Sequence, residues 1–448
     1  MLNTELPKAA EKAILMLEGA GFEAYAVGGC VRDSLLGKNP TDFDITTSAK
    51  PEEMKAVFKN EHLIETGIKH GTLTVLMDGE PLEITTFRID KNYSDNRRPE
   101  EVEFTRCLSE DLARRDFTVN ALAFNKKTGI IDLFGGVSDL EHGIIRAVGE
   151  PDIRFDEDAL RIMRALRFAS VLGFEIEEKT ALSLSKNASL LRNISAERVF
   201  EELKKLLCGE NAAKVLKEHP APFFEIIPEL SLLKGFEQHH FRHNLDAFEH
   251  TLAVIKNVPP QKNLRLGALF HDIAKPLCQS FDESGTAHYY GHAQKSAEIA
   301  EAVLRRLKSD SETIKNVSEL VRRHEDRFEP SKKAVKRLLS KTNPEFFENL
   351  LSLMEADEMG KKEEFRLSKS VFEEFRSLAA EIVEKEECFS LKNLAVNGAD
   401  LISAGFEPGK KMGEILETLL EKVIEGELSN EKEALLQFAK THYILNKR

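Results

Sequence analysis

Gly28-Gly29-Cys30-Val31-Arg32-Asp33, followed shortly by Thr41-Asp42-Phe43-Asp44-Ile45, decides the reading of this chain. Residues 24–27, Ala-Tyr-Ala-Val, have the composition of a short buried strand, and the glycines behind them permit a tight turn with close backbone approach. A helix starting there carries Arg32, so backbone N–H groups and a guanidinium converge where a triphosphate would lie. From 41 to 46 polar and apolar residues alternate, the period of a half-buried strand. Asp42 and Asp44 then share one face, with Phe43 and Ile45 on the other. Two carboxylates that close repel unless a cation lies between them, and hard oxygen ligands suit Mg²⁺. A nucleotide cradle beside paired carboxylates implies metal-assisted nucleotidyl transfer. Either element alone is commonplace; their order and closeness carry the inference.

The rest of the chain bounds this reading. At 448 residues it is too long for a single core. No apolar run approaches the ~20 residues of a membrane span. Residues 1–20 read as an amphipathic helix with interspersed acids rather than as a leader. The five cysteines, Cys30, Cys107, Cys208, Cys278 and Cys388, are scattered without CxxC spacing, as expected of reduced packing residues in a cytoplasmic protein. A net charge of −13 argues against a surface uniformly coated for nucleic acid and leaves room for a local basic track.

The periodicity predicts an α+β head over 1–150, a small mixed sheet with helices whose strands fall at 24–27, 41–46, 72–77, 82–87 and 102–104. Three all-α segments follow: a neck over 151–232, a body over 233–385 that holds most of the 13 histidines, and a tail over 386–448. The expected molecule is elongated and multidomain.

Further residues fit the same chemistry. Glu83, on the strand over 82–87, is a candidate third catalytic carboxylate. Arg114-Arg115-Asp116-Phe117-Thr118-Val119-Asn120-Ala121-Leu122 reads as the start of an amphipathic helix, with Arg115 reaching a nucleotide and Asp116 orienting it. Along the predicted helix 158–173, Arg161, Arg164 and Arg167 wind down one flank and repel one another, which calls for protein carboxylates or a triphosphate as partner. Asp158 and Arg161, one turn apart, offer an acceptor and a donor for the Watson–Crick edge of a base. Residues 90–99 form a polar stretch without apolar periodicity, read as a loop. In the body, His250, His271, Asp272 and Asp357 make a mixed N/O set suited to a divalent metal, which His243, His288, His292 and His324 extend.

In this order, Gly-Gly-x-Val-Arg-Asp, Asp-x-Asp, Arg97-Arg98-Pro99, Arg-Arg-Asp-Phe-Thr-x-Asn-Ala and Glu-Asp-x-x-Arg resemble the bacterial class II tRNA nucleotidyltransferases. These are CCA-adding enzymes of the polymerase-β-like superfamily, and the likeness extends to Val396-Asn397-Gly398-Ala399-Asp400-Leu401 in the tail. The resemblance implies tRNA as partner and CTP and ATP as substrates. It implies that Gly29, Arg32, Arg115, Asp158, Arg161, Arg164 and Arg167 bind the nucleotide, and that Asp42 and Asp44 hold Mg²⁺. The element at 90–99 disfavours a CC-only enzyme and leaves full CCA addition or A addition alone. The basic extensions of the related poly(A) polymerases are absent. His250, His271, Asp272 and Asp357 match the H…HD…D pattern of HD phosphohydrolases, which implies a second divalent metal. An HD-type metal phosphohydrolase with a nucleotide-binding head is the competing reading, and a non-enzymatic RNA-binding protein the third. Arg192, Arg198, Lys204, Lys205, Lys410 and Lys411 are candidate phosphate contacts.

Overall fold

The computed structural model describes residues 6–93, 99–327 and 329–444. The chain divides into two compact units, Met1–Ser231 with Arg305–Ser309, and Leu232–Leu304 with Asp310–Arg448. The strands of the first are β1 (Ala24–Val27), β2 (Asp44–Thr47), β3 (His62–Ile64), β4 (Thr72–Met77), β5 (Glu80–Thr86), β6 (Arg88–Tyr93), β7 (Pro99–Phe104), β8 (Leu122–Asn125), β9 (Gly129–Asp132), β10 (Ile144–Ile145) and β11 (Glu175–Ile176); the last two pair in parallel, so the neck expected to be all-α carries one two-residue strand. Seven of them make one mixed sheet in the order β3-β4-β5-β2-β1-β8-β9, with β2 parallel to β5.

Burial explains this order. All four residues of β1 are buried, as befits a strand near the sheet centre. In β4, buried Leu73, Val75 and Met77 alternate with half-buried neighbours, the period of a one-sided strand. The helix Lys8–Gly19 lays the fully buried Ala10, Ala13 and Leu17 into the same core. Directly after β1, Gly28 has φ 79°, which only glycine adopts readily, and the helix Gly29–Leu35 follows at once with Arg32 on it.

Several expected boundaries move. The strand expected over 41–46 begins at Asp44, so Asp42 lies just before it. Of the stretch read as a loop over 90–99, residues 90–93 and 99 belong to a hairpin, β6 paired antiparallel with β7; residues 94–98, Arg97 and Arg98 included, lie outside the described residues. The pair forms a separate two-stranded sheet. Arg114 and Arg115 do not begin a helix. They follow the short helix Leu108–Ala113, and Thr118–Asn120 is a single 3₁₀ turn leading into β8. The apolar residues taken for a helical face, Phe117, Ala121 and Leu122, are fully buried in extended and turn backbone instead.

The helix Leu160–Leu172 buries Ile162, Met163, Ala165 and Leu166 completely and packs on the helix Ala196–Leu207. A Cβ at Gly209 would collide with Ser170 Oγ and lie 2.7 Å from the Ser170 carbonyl carbon, so the two segments meet backbone to backbone. Gly209→Ala should therefore destabilise the first unit by about 1–3 kcal/mol, read as a lower urea midpoint by far-UV circular dichroism. An unchanged midpoint would refute this close approach.

Among its described residues the second unit is helical apart from a two-residue β-ladder at Ser280–Phe281 and Ala287–His288. Helices Ala247–Asn257, Lys262–Phe270, Ser311–Arg323 and Pro344–Met359 pack on one another. In the tail, Asn397 Oδ1 accepts from the Ala399 and Asp400 N–H groups while Asp400 Oδ2 accepts from the Asn397 N–H. The Val-Asn-Gly-Ala-Asp-Leu motif is thus a capping box that starts the helix Gly398–Ser403 and seats the fully buried Leu401. Among the described residues, no helix is long and apolar enough to cross a membrane.

Candidate active site

Asp42 and Asp44 are exposed, while Phe43 packs against the core and Ile45 is buried in it. The two aspartates therefore face away from the core even though Asp42 precedes the strand. Parallel pairing of β2 with β5 sets Asp44 in register with Glu83, so Glu83 stands beside it on the same face. Protein atoms crowd the Asp44 carboxyl on one side, and the Glu83 and Asp42 carboxylates add like charge; both effects raise its pKa, with Arg115 opposing. An acid whose proton affinity is raised by two neighbouring carboxylates fits a divalent cation bound through hard oxygens.

Across from them the arginines are held in a network. A Cβ at Gly28 would lie 3.1 Å from Arg115 Nη1, so the missing side chain makes room for that guanidinium. Arg115 donates through Nη2 to Asp111 Oδ2 at 3.4 Å, and its buried Nε has no hydrogen-bond partner. Arg32 donates to both oxygens of Asp33, at 2.9 and 2.8 Å, and through Nη1 to Asn120 Oδ1 at 2.6 Å. Asn120 in turn donates to Asp116 Oδ1 at 3.1 Å. Arg164 donates to Asp116 Oδ2 through Nε at 2.8 Å and Nη2 at 2.5 Å. Burial works against charge on Asp116, but Arg164 and Asn120 outweigh it and bring its pKa down to about 2. Arg167 pairs with Glu202 at 2.5 Å. The guanidinium carbons of Arg32, Arg164 and Arg167 sit 5.0, 5.3 and 4.1 Å from the centroid of the Phe168 ring.

The charge row along the neck helix is thus met by protein carboxylates. Arg161 is likewise committed: Nη1 donates to Glu157 at 2.8 Å and to the Arg154 carbonyl, and Nη2 to the Arg114 carbonyl at 2.9 Å. Asp158 is not on that helix, as the sequence led us to expect. It ends the preceding helix, Pro151–Glu157, in extended backbone at φ −139°. Its Oδ1 accepts from the Leu160 N–H at 3.1 Å, and its Oδ2 lies 3.6 Å from Arg198. Asp158 and Arg161 are neighbours without a mutual ion pair. Of the candidate phosphate contacts, Arg192 pairs with Glu225 and Lys204 with Glu201.

The second unit gathers the histidines. His250, His271, Asp272 and Asp357 present ligand atoms within 4.8 Å of one another, and so do Asp272, His292 and His324. His250 Nε2 lies 2.9 Å from Asp357 Oδ1, and His271 Nε2 lies 3.2 Å from Asp272 Oδ2. On the far side of the rings, the Nδ1 atoms of His271, His292 and His324 lie 2.8, 2.9 and 2.6 Å from the carbonyls of Ala268, Tyr289 and Val321. His250 Nδ1 is 3.3 Å from the Gly360 carbonyl, and a Cβ at Gly360 would come within 2.6 Å of that ring. Burial disfavours charge on Asp272, but His271 and Lys275 outweigh it and hold the carboxyl well below the usual range. His288 lies apart, paired with Asp282 at 2.9 Å, and burial pushes His243 down to about 2.

Residues 24–146 match the family model described as "Poly A polymerase head domain", and 173–219 match "Probable RNA and SrmB- binding site of polymerase A". Residues 288–439 match "tRNA nucleotidyltransferase domain 2 putative". The chain is 36% identical over 446 residues to the CCA-adding enzyme of Lactiplantibacillus plantarum, covering 98% of each. With the CCA-adding enzyme of Enterococcus faecalis it shares 38% over 440 residues, covering 97% of this chain and 95% of that one. The chain belongs to the CCA-adding enzymes. The Bacillus stearothermophilus CCA-adding enzyme, solved in complex with CTP, superposes with a TM-score of 0.68 at 29% identity, covering 98% of both chains. A Thermotoga maritima CCA-adding enzyme complexed with tRNA shares the fold at a TM-score of 0.57 and 23% identity, over 98% of this chain and 97% of that one.

Within the head and neck of this CCA-adding enzyme, sequence reasoning passed over Asp111, Glu202 and Phe168. Asp111 is fully buried and holds Arg114 and Arg115 three and four residues on. Its spacing was a readable signal. Glu202 had none, because it meets Arg167 across packed helices; Phe168 shares its helix with Arg164 and Arg167, and only its contact with Arg32 was hidden.

Proposed function

We propose that this chain completes tRNA 3′ ends, adding C, C and A from CTP and ATP without a nucleic-acid template and releasing pyrophosphate. The observation that carries the reading is the convergence of Asp42, Asp44 and Glu83 with Arg115 behind the Gly28 turn, in a chain related end to end to CCA-adding enzymes. Asp42 and Asp44 are the residues that would hold Mg²⁺, with Glu83 as a third acid. When bound, the metal lowers the pKa of the tRNA 3′-hydroxyl and offsets charge on the triphosphate. Arg115, whose Nε is unpartnered, and the Phe168-centred arginines bind the triphosphate against the Gly29 backbone. Asp158 accepts from the exocyclic amine of cytosine or adenine. Arg161, aligned by Glu157 and the Arg114 carbonyl, donates to the same edge.

On this reading residues 1–150 are the catalytic head, 151–232 the neck that selects the base, 233–385 an HD-type body and 386–448 a tail that contacts tRNA. The free state of all five cysteines suits a cytoplasmic enzyme. Transcripts ending at the discriminator base, in CC and in CCA, offered CTP or ATP separately, test the proposal. The first should be extended with CTP, the second with ATP and the third with neither; an enzyme adding A alone would leave the first untouched. Asp158→Ala should misincorporate at both steps, and retained base choice would remove Asp158 from the template.

His250, His271, Asp272 and Asp357 support a second reading alongside the first, an HD-type divalent metal site that hydrolyses a phosphoester. The chemistry of the donor set fits: each imidazole sets one ring nitrogen against a backbone carbonyl and aims the other at the carboxylates.

A further inference from the structure

We propose that Asp111, anchored by the Thr46 hydroxyl, is a positioning residue of the nucleotide site whose carboxylate aims the Arg115 guanidinium at the triphosphate. The inference rests on the assignment of Arg115 to the triphosphate and adds the group that places that arginine. Asp111 touches no part of the nucleotide itself.

Asp111 lies fully buried on the short helix Leu108–Ala113, and its two oxygens serve different partners. Oδ1 accepts from Arg114 through Nε at 3.0 Å and Nη2 at 2.8 Å. The same oxygen accepts from the Arg88 N–H, at the foot of β6, at 3.4 Å. Oδ2 accepts from Arg115 Nη2 at 3.4 Å and from the Thr46 hydroxyl at 3.2 Å. Thr46 lies two residues beyond Asp44 on the same face of β2. One carboxylate thus ties Arg115 to the strand that carries Asp44.

The two arginines are held differently, and that difference carries the inference. Arg114 turns every nitrogen to a carboxylate, since its Nη1 also donates to Asp90 Oδ2 at 3.4 Å. Arg115 is held at one corner. Its Nη2 meets Asp111, its buried Nε has no hydrogen-bond partner, and its Nη1 faces the Gly28 turn. A guanidinium with a buried, unpartnered N–H is poised for an anionic ligand. Without the charge of Asp111, two adjacent guanidinium groups would repel each other and Arg115 would lose its ion pair. Burial works against charge on Asp111, but Arg114 and Arg115 outweigh it and hold the carboxyl below its ordinary range. Fixing one corner of Arg115 beforehand removes part of the ordering cost of gripping phosphate oxygens.

Calorimetric titration of the full-length protein with CTP and with CMP tests the proposal. CMP lacks the two outer phosphates, so the ratio of the two affinities isolates what the triphosphate contributes. In Asp111→Asn the advantage of CTP over CMP should shrink by about tenfold, the loss expected when a charge-assisted contact is misplaced. Arg115→Gln should shrink it at least as far. Adding Asp111→Asn to Arg115→Gln should then change it by less than about twofold, because the two act as one unit. Equal losses for CTP and CMP in Asp111→Asn would leave Asp111 a role in shape alone and overturn the proposal, as would additive losses in the double variant. An unchanged ratio in Asp111→Asn beside a lost one in Arg115→Gln overturns the proposal and keeps Arg115 at the triphosphate. An unchanged ratio in Arg115→Gln overturns both. Thr46→Val guards against a buried Asn that prevents folding, since it keeps the carboxylate and removes only the hydroxyl. It should shrink the ratio by about threefold, the effect of one neutral hydrogen bond, and an unchanged ratio there refutes the anchored arrangement.

Discussion

Asp44→Ala should lower single-turnover addition of CMP to a tRNA lacking CCA by about a thousand-fold or more. The carboxyl lies where Asp42 and Glu83 already raise its proton affinity, which marks it as the group most dependent on a nearby cation. Metal-based charge neutralisation at a transferring phosphoryl group supplies several kcal/mol, and each ~1.4 kcal/mol is tenfold in rate. Asp44 is exposed at the first residue of β2 and supports no core contact, so stability and tRNA affinity should stay near wild type. Asp44→Asn should fare no better, because the amide keeps the shape and loses the charge. A rate within tenfold of wild type in either variant would remove Asp44 from the metal site and with it the proposed mechanism.

The largest stability effect is expected at Asp116. Its carboxylate is buried and accepts from Arg164, Asn120 and its neighbour's N–H, so Asp116→Ala strands a guanidinium that packs over Phe168. Removing one member of a buried pair costs roughly 3–5 kcal/mol. The lower end is expected here because 33% of the Arg164 side chain remains exposed. The chain has no tryptophan, so urea unfolding is best followed by far-UV circular dichroism. The effect has a pH signature whose sign follows from the pKa. Asp116 titrates near 2 when folded, below its ordinary value of 3.8, so it contributes stability above about pH 4 that is lost as pH falls through 2. The deficit of Asp116→Asn relative to wild type should therefore shrink by about 2 kcal/mol between pH 4 and pH 2. A deficit independent of pH would mean that the carboxylate acts through shape alone.

The mixed head, helical remainder, Gly28 turn and paired aspartates were legible because each is a local matter. A left-handed glycine, an alternating strand, an amphipathic helix and the Asn397–Asp400 capping box are decided by residues a few positions apart. Of the hairpin β6–β7, the strand at 102–104 was legible and the β6 side was read as loop; the two strands pair only with each other, a pairing no local period announces.

What the sequence by itself determined, then, is which groups are present and which local backbone carries them. Tertiary structure alone decided who meets whom. Arg32 finds Asn120 at a separation of 88 residues, and Arg164 finds Asp116 at 48. Asp44 and Glu83 become neighbours only through a parallel strand pairing that no local signal announces. His292 and His324, read as mere extensions of a cluster, acquire a distinct place because Asp272 turns one oxygen to each side. Charge and lone pairs act over a few ångströms in any direction, whereas periodicity reports only along the chain. Closing the long loops between such partners is the work of the buried core, not of the residues that meet.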